Sequence, residues 1–200
     1  MKLWTDAGGT APSPRRVRMY LAEKGLEVPL AAVRIDDVEV RETRTPEFRR
    51  RNPFGNVPVL ELDDGSALAE SMAIIRYLEE LHPQPPLLGA TALERAEIEM
   101  WLRRLEQRLY IPVDWGPPLG RMIPGAEVPF REGALRFLKR LDTRLAEHEF
   151  VACDRFSMAD IFGFGALDYG RRFAGFPLPA DAPHLRRWFE ATAARPSAHA

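Results

Sequence analysis

Asn52-Pro53-Phe54-Gly55-Asn56-Val57-Pro58-Val59-Leu60-Glu61-Leu62-Asp63-Asp64-Gly65-Ser66-Ala67-Leu68-Ala69-Glu70-Ser71 is the stretch that decides how the first half of the chain is read. Residues 52–56 form a cluster of turn formers. Val57 to Leu62 reads as a strand with a proline near its start, and Asp63-Asp64-Gly65 is a hairpin signal that joins it to an antiparallel partner over Ser66 to Ala69. From Ser71 to His82 the apolar residues Ala73, Ile74, Tyr77, Leu78 and Leu81 recur at three and four, the period of a half-buried helix, and Pro83 marks its end.

Two positions in this stretch carry chemistry. A proline in a strand removes a ladder donor, so Pro58 between two valines needs a reason. One reason is a cis Val57-Pro58 bond that turns the backbone of Val57 outward toward an extended peptide ligand; the other is an edge strand with no ligand. Further on, Glu70-Ser71 falls where a strand gives way to a helix, so the first helical amides point a partial positive charge outward. A carboxylate docks well there, the Ser71 hydroxyl can add a donor, and Glu70 can accept from an ammonium group. Plain N-capping by Ser71 beside a solvated Glu70 is the simpler reading of the same residues.

Upstream, residues 2–5 read as a strand and residues 6–12 as a loop. A helix follows, with Ser13 as N-cap, Pro14 at the first helical position, Val17, Tyr20 and Leu21 on one face, and Gly25 closing the end. Val28 to Ile35 is β-branched and is expected to be a second strand parallel to the first. The charged segment Asp36 to Arg51 reads as a loop with a short irregular helix, its run Arg49-Arg50-Arg51 being either a solvated face or a partner for a ligand carboxylate.

Downstream, three prolines within His82-Pro83-Gln84-Pro85-Pro86 end the alternation of strand and helix. Residues 1–82 are therefore expected to form one domain, 83–90 a linker, and 91–200 a second, all-helical domain. Thr91-x-x-Glu94 is a capping box opening a helix through Ile98, Trp101, Leu102, Leu105 and Leu109. A Pro- and Gly-rich stretch, Pro112 to Pro129, is expected to interrupt it, and Tyr110 to Met122 reads as an irregular aromatic wall for an apolar ligand or as ordinary loop packing. Another helix carries Ala134, Leu138, Leu141 and Leu145. A further one opens at Ser157-Met158-Ala159-Asp160 with a second capping box, and a last one lies around Leu185, Trp188 and Phe189 before a frayed polar tail.

Composition closes off several function classes. The 200 residues are 46% hydrophobic and 28% charged with a net charge of -1, which suits a packed globular chain and offers no field to gather nucleic acid. No apolar run reaches the roughly 18 residues of a membrane span, and the opening residues lack the core of a signal peptide, so a cytoplasmic protein is expected. Cys153 is the single cysteine and the four histidines are scattered, which argues against a disulfide framework or a metal centre. In its loop, Cys153 is expected to be a semi-buried structural residue.

The stretches 52–60, 70–74 and 156–161, in this order, resemble the best-known segments of the glutathione transferase superfamily. The resemblance implies an α/β plus all-α fold: a thioredoxin-like domain of order βαβ, helix, ββα, followed by a helical domain. It implies that Asn56, Val57 and Pro58 hold the cysteinyl backbone of glutathione, that Glu70 and Ser71 hold its γ-glutamyl end, and that Ser157 with Asp160 is a structural cap. It also implies a homodimer, with a small apolar electrophile as second substrate. A thiol is only a few per cent ionised at neutral pH, so the family places a hydroxyl or thiol near the sulfur. Here that place is Ala11, a departure from the pattern, and the nearest hydroxyls are Ser13, taken first, and Thr10. The tyrosine position of other classes holds Trp4. Conjugation is the expected reaction, with glutathione-dependent disulfide or peroxide reduction, or a non-catalytic ligand-binding protein, as alternatives.

Overall fold

In the computed structural model, which describes residues 1–35 and 41–200, the chain divides into two compact units, Met1–Pro85 with His199–Ala200, and Pro86–Ala198. The first part of the charged segment, residues 36–40, lies outside the described residues.

The first unit is built on a four-stranded sheet of order β2-β1-β3-β4, with β1 at Lys2–Asp6, β2 at Leu30–Val33, β3 at Val59–Glu61 and β4 at Ala67–Ala69. β2 is parallel to β1, as a crossover through a helix requires, while β3 and β4 are antiparallel to their neighbours. Helix α1 (Pro12–Lys24) makes that crossover, α2 (Pro46–Arg51) follows a 3-10 turn at Glu42–Arg44, and α3 (Ser71–Leu81) follows β4. The core is apolar and closed, with Leu3, Val17, Met19, Tyr20, Val59, Leu60, Ile74 and Ile75 all wholly buried.

One charged cluster crosses this core. The Tyr20 hydroxyl donates to Glu79 Oε2 (2.7 Å), Lys24 Nζ pairs with the same oxygen (2.6 Å), and Lys24 also donates to the carbonyls of His82 and Pro85. Burial, then Glu79, pushes the Tyr20 phenol far above its usual range. The cluster fastens the end of α1 to the end of α3, which a purely apolar contact would not orient.

The second unit is helical throughout: α4 (Ala92–Leu105), a π-helical turn at Glu106–Tyr110, α5 (Ile111–Met122), α6 (Glu127–Glu147), α7 (Met158–Phe173) and α8 (Pro183–Ala193). Three expectations are corrected here. The Pro- and Gly-rich stretch is mostly helix: Pro112 stands in the first turn of α5, where its missing N–H is tolerated, while Pro117 and Pro118 lie inside. Gly116 and Gly120 sit one turn apart and let α5 lie close on α6, where added Cβ atoms would meet Phe130 and Glu127. Helix α6 starts at Glu127, earlier than the leucine pattern alone suggests. The polar tail is not frayed either, because Pro196–His199 forms a 3-10 turn that buries Ser197 and Ala198.

Both capping boxes are formed. Asp160 has no exposure and gathers four donors: Val151 N (2.9 Å), Ser157 N (2.9 Å), the Ser157 hydroxyl (3.1 Å) and Trp188 Nε1 (2.8 Å). Burial pushes its carboxyl up against the pull of those bonds. Replacing Asp160 by Ala strands several buried donors, and the expected loss is about 3–5 kcal/mol in chemical denaturation. Glu94 is held the other way. Its carboxylate takes both Arg155 Nη groups and the amides of Ala90 and Thr91, and these hold it at about 2, from 4.5. That stabilisation is complete above pH 4.5 and is lost as pH falls toward 2, so Glu94→Gln should flatten the acid side of a melting-temperature profile and leave it sloped elsewhere.

Candidate functional site

The sheet register alone brings the candidate residues to one edge. Val59 pairs with Ala69 across the hairpin, so Pro58, just before β3, stands opposite Glu70, just after β4. Trp4 pairs with Val59 in antiparallel sense, so the end of β1, and the loop leading into α1, comes out at that same edge. Ser13, Val57-Pro58 and Glu70-Ser71, separated by up to 58 positions in the chain, thus belong to one side of the first unit.

The turn at 52–58 is built by Asn52, which is 3% exposed. Its side chain accepts from the Phe54 amide (3.2 Å) and donates to the Asn56 carbonyl (2.8 Å), while its own carbonyl accepts from Gly55 N (2.9 Å). Gly55 is at φ +66°, and a Cβ there would lie 2.8 Å from the Thr43 carbonyl, so no other residue fits the turn. The Val57-Pro58 bond is cis. Pro58 itself is buried and precedes the strand rather than sitting within it, which removes its conflict with the ladder. Asn56 is exposed and Val57 half-buried.

At the other corner Glu70, not Ser71, is the N-cap of α3, and it caps with no side-chain hydrogen bond. The simpler reading of Ser71 as N-cap is therefore set aside, and Ser71 is the first helical residue. The first amides of α3 have no intrahelical acceptor and point out of the helix start. Glu70 is exposed and has φ +68°, the one described non-glycine residue with positive φ. A side chain kept in that region costs on the order of 1–3 kcal/mol, and such strain is concentrated at functional positions. Ser71 is 6% exposed, and its Oγ accepts from Arg16 Nη1 at 2.8 Å. With the oxygen so engaged, the hydroxyl hydrogen is directed elsewhere, as a donor should be.

Helix α1 starts two residues earlier than Ser13 as N-cap would require. Ala11 is the N-cap, Pro12 is first, Ser13 second and Pro14 third. Alanine offers no capping oxygen, and the two prolines have no N–H, so among the first three helical residues Ser13 alone carries an amide hydrogen. Its hydroxyl and amide lie together at the positive end of the helix. Thr10 is half-buried in the loop before it.

Other residues singled out in the sequence have structural occupations. Trp4 Nε1 donates to Glu61 (2.9 Å), its ring meets Phe48 edge-on at 6.0 Å, and Arg51 lies over it at 4.4 Å. Arg51 also bonds Glu61 at 2.9 Å, and the bonds from Trp4 and then Arg51 hold that carboxyl below its usual range. Of the run at 49–51, Arg51 takes part in a local network with Glu61, Glu47 and Trp4. Cys153 is 7% exposed, and burial pushes its thiol up, the wrong direction for a reactive thiolate. The aromatic segment around Trp115 is helical, with Ile111, Trp115 and Met122 exposed on α5. No group of three or more His, Cys, Asp or Glu able to hold a metal occurs among the described residues. Among them too, no helix is long and apolar enough to cross a membrane.

A sheet of this order, with a cis-proline turn and a helix start at one edge and a helical unit after it, defines the thioredoxin-like and helical pair of domains seen in glutathione transferases. Residues 10–81 match the family model for the glutathione S-transferase N-terminal domain, and residues 130–196 that for its C-terminal domain. The chain is 37% identical over 203 residues to glutathione S-transferase 2 of Saccharomyces cerevisiae, covering 96% of this chain and 85% of that one. It superposes on a glutathione S-transferase domain-containing protein of Marinobacter aquaeolei with TM-score 0.87 at 39% identity, over 98% of this chain and 99% of the other. A glutathione S-transferase of Methylobacillus flagellatus, solved with GSH bound, gives TM-score 0.83 at 27% identity over 98% and 96% of the two chains. A probable elongation factor 1-gamma of Arabidopsis thaliana is 36% identical over 155 residues, covering 73% of this chain and 36% of that one. The chain belongs to the glutathione S-transferase family.

Strain at Glu70 has a measurable signature. Glu70→Gly relieves the positive φ and removes the carboxylate, so it should stabilise the protein by about 1 kcal/mol in chemical denaturation while weakening any amino-acid ligand. A Glu70→Ala protein keeps the strained φ and should gain no such stability.

Proposed function

We propose that the protein is a glutathione transferase that binds glutathione along this edge and activates its thiol for attack on a small apolar electrophile. The observation that carries the reading is the convergence, in one unit, of the Val57-Pro58 turn and the strained Glu70-Ser71 start of α3. In this reading Val57 pairs by its backbone with the cysteinyl residue, and Asn56 and Pro58 shape the turn that presents it. Ser71 and the first amides of α3 take the γ-glutamyl carboxylate, and Glu70 takes the ammonium group.

The thiol is proposed to lie at the start of α1. Ser13 supplies a hydroxyl and an amide to the sulfur there, with Thr10 as the second candidate. Both donors favour the thiolate over the thiol, and the helix end adds to them. The proton passes to solvent. The sulfur lone pair then forms the C–S bond as the electrophile's leaving group departs with its bonding pair. Glutathione is thus a co-substrate, and no metal is needed for the step. The exposed apolar residues of α5 are candidates for contact with the second substrate. A homodimer in the cytoplasm is the setting proposed for this activity.

A second reading follows from the elongation factor relatives, of which this chain covers 36% to 45%. In it the fold serves as a ligand-binding or docking module without turnover, and the absence of a hydroxyl at Ala11 agrees with it. Glutathione-dependent reduction of disulfides or peroxides is a third outcome of the same thiolate.

Calorimetric titration with glutathione, joined to turnover of a chloronitrobenzene, separates these readings. Glu70→Ala should weaken binding by about tenfold or more, the worth of a charge-assisted hydrogen bond. Ser13→Ala should leave affinity within about threefold and lower turnover about tenfold or more. Binding by the parent with no turnover of an electrophile, hydroxyethyl disulfide or cumene hydroperoxide would favour the docking module.

A further inference from the structure

We propose that Asp6 and Arg18 are positioning residues for thiol activation, fixing the start of α1 so that Ser13 meets the sulfur. The inference rests on the reading above, that glutathione is bound with its thiol at the start of that helix.

Asp6 is the last residue of β1, and its side chain has no exposure; that of Arg18, on α1, is 9% exposed. The two form an ion pair, Arg18 Nη1 to Asp6 Oδ1 at 3.3 Å. Each then reaches a different point of the loop between them. Asp6 Oδ2 accepts from the Ala11 amide at 2.9 Å, and Arg18 Nη2 donates to the Gly9 carbonyl at 2.9 Å. Thr5 completes the set, its hydroxyl accepting from Arg18 Nη1 at 2.6 Å and donating to Asp6 Oδ1 at 3.3 Å. Gly9, at φ +65°, allows the loop to fold back onto Arg18.

The consequence for Ser13 comes from its neighbours. Pro12 and Pro14 have fixed φ, and a residue followed by proline is itself restricted. Ser13 has little freedom of its own, so Ala11 to Pro14 moves as one piece whose placement is that of Ala11. Ala11 has no side chain with which to hold itself, and its amide is held by Asp6. A capping side chain at position 11 would have turned toward the amides of the first turn, and there the Ser13 amide is the natural target. Anchoring Ala11 from outside the helix fixes where α1 begins without a capping side chain at position 11.

A carboxylate is a hazardous anchor near a thiolate, since a buried negative charge disfavours ionisation of the sulfur. Arg18 answers this by neutralising Asp6 within the same cluster. The pair itself adds little net stability over apolar side chains of the same volume. Its effect lies in geometry, where an error of about 1 Å in a reacting group can cost on the order of a hundredfold in rate.

Charge and geometry predict opposite results for Asp6→Asn, and this decides the matter. Removal of a negative charge alone would lower the thiol pKa of bound glutathione; loss of the anchor raises it, because the Ser13 donors are no longer aimed. The experiment measures thiolate absorbance of bound glutathione against pH, the pH–rate profile with a chloronitrobenzene, glutathione affinity by calorimetry, and the melting temperature. For Asp6→Asn the expected result is a raised thiol pKa, a turnover just below neutral pH lower by about tenfold, and affinity within about threefold of the parent. Thr5→Val removes one bond from each partner and should shift the profile the same way by less. Should Asp6→Asn not fold, Thr5→Val alone decides. An unchanged or lowered thiol pKa in a folded variant, with only the melting temperature reduced, would overturn the inference and leave the parent's glutathione reading intact. No binding of glutathione by the parent would overturn the reading beneath it, and the inference with it.

Discussion

A hydrogen bond from Arg16 Nη1, in the second turn of α1, to Ser71 Oγ at 2.8 Å ties that helix to the first residue of α3, and the chemistry proposed for the first unit depends on that juxtaposition. Each helix start carries partial positive charge, and bringing two together is unfavourable unless an anion is shared between them. A tripeptide with a carboxylate at one point and a thiolate at another meets that need. The sheet supplies the rest, since the pairing of Trp4 with Val59 and of Val59 with Ala69 brings the strand ends out at one edge.

Much of this arrangement is legible in the sequence because local chemistry and tertiary structure agree there. The turn cluster at 52–56, the Asp64-Gly65 hairpin, the amphipathic period of α3 and both capping boxes each have one strong physical solution, and each is found. The cis bond at Val57-Pro58 is one of the two readings that a proline beside a strand leaves open, and it is the one found. The superfamily follows from the order of these signals.

What was not legible depends on distant partners or on competing local rules. Serine caps helices and Pro14 suits a first position, which points to Ser13 as the cap, yet Pro12 suits that position as well, and the anchor at Asp6 lets the helix begin earlier. The roles of Arg16, Arg18 and Asn52 come from partners in the fold. An arginine beside two others on a charged helix gives no sign that it is buried, although Arg16 and Arg18 both are. Pro117 and Pro118 argue locally against the helix α5, and their cost is overridden by close packing on α6 through Gly116 and Gly120.

The most direct test of the account is a nitrogen-15 amide spectrum of the protein titrated with glutathione. The amides of Val57, Ser71, Met72 and Ser13 should shift together along one saturating curve, because one ligand touches three corners of one edge. Shifts confined to other residues, or a Val57 amide that stays in place while the spectrum elsewhere responds, would contradict it.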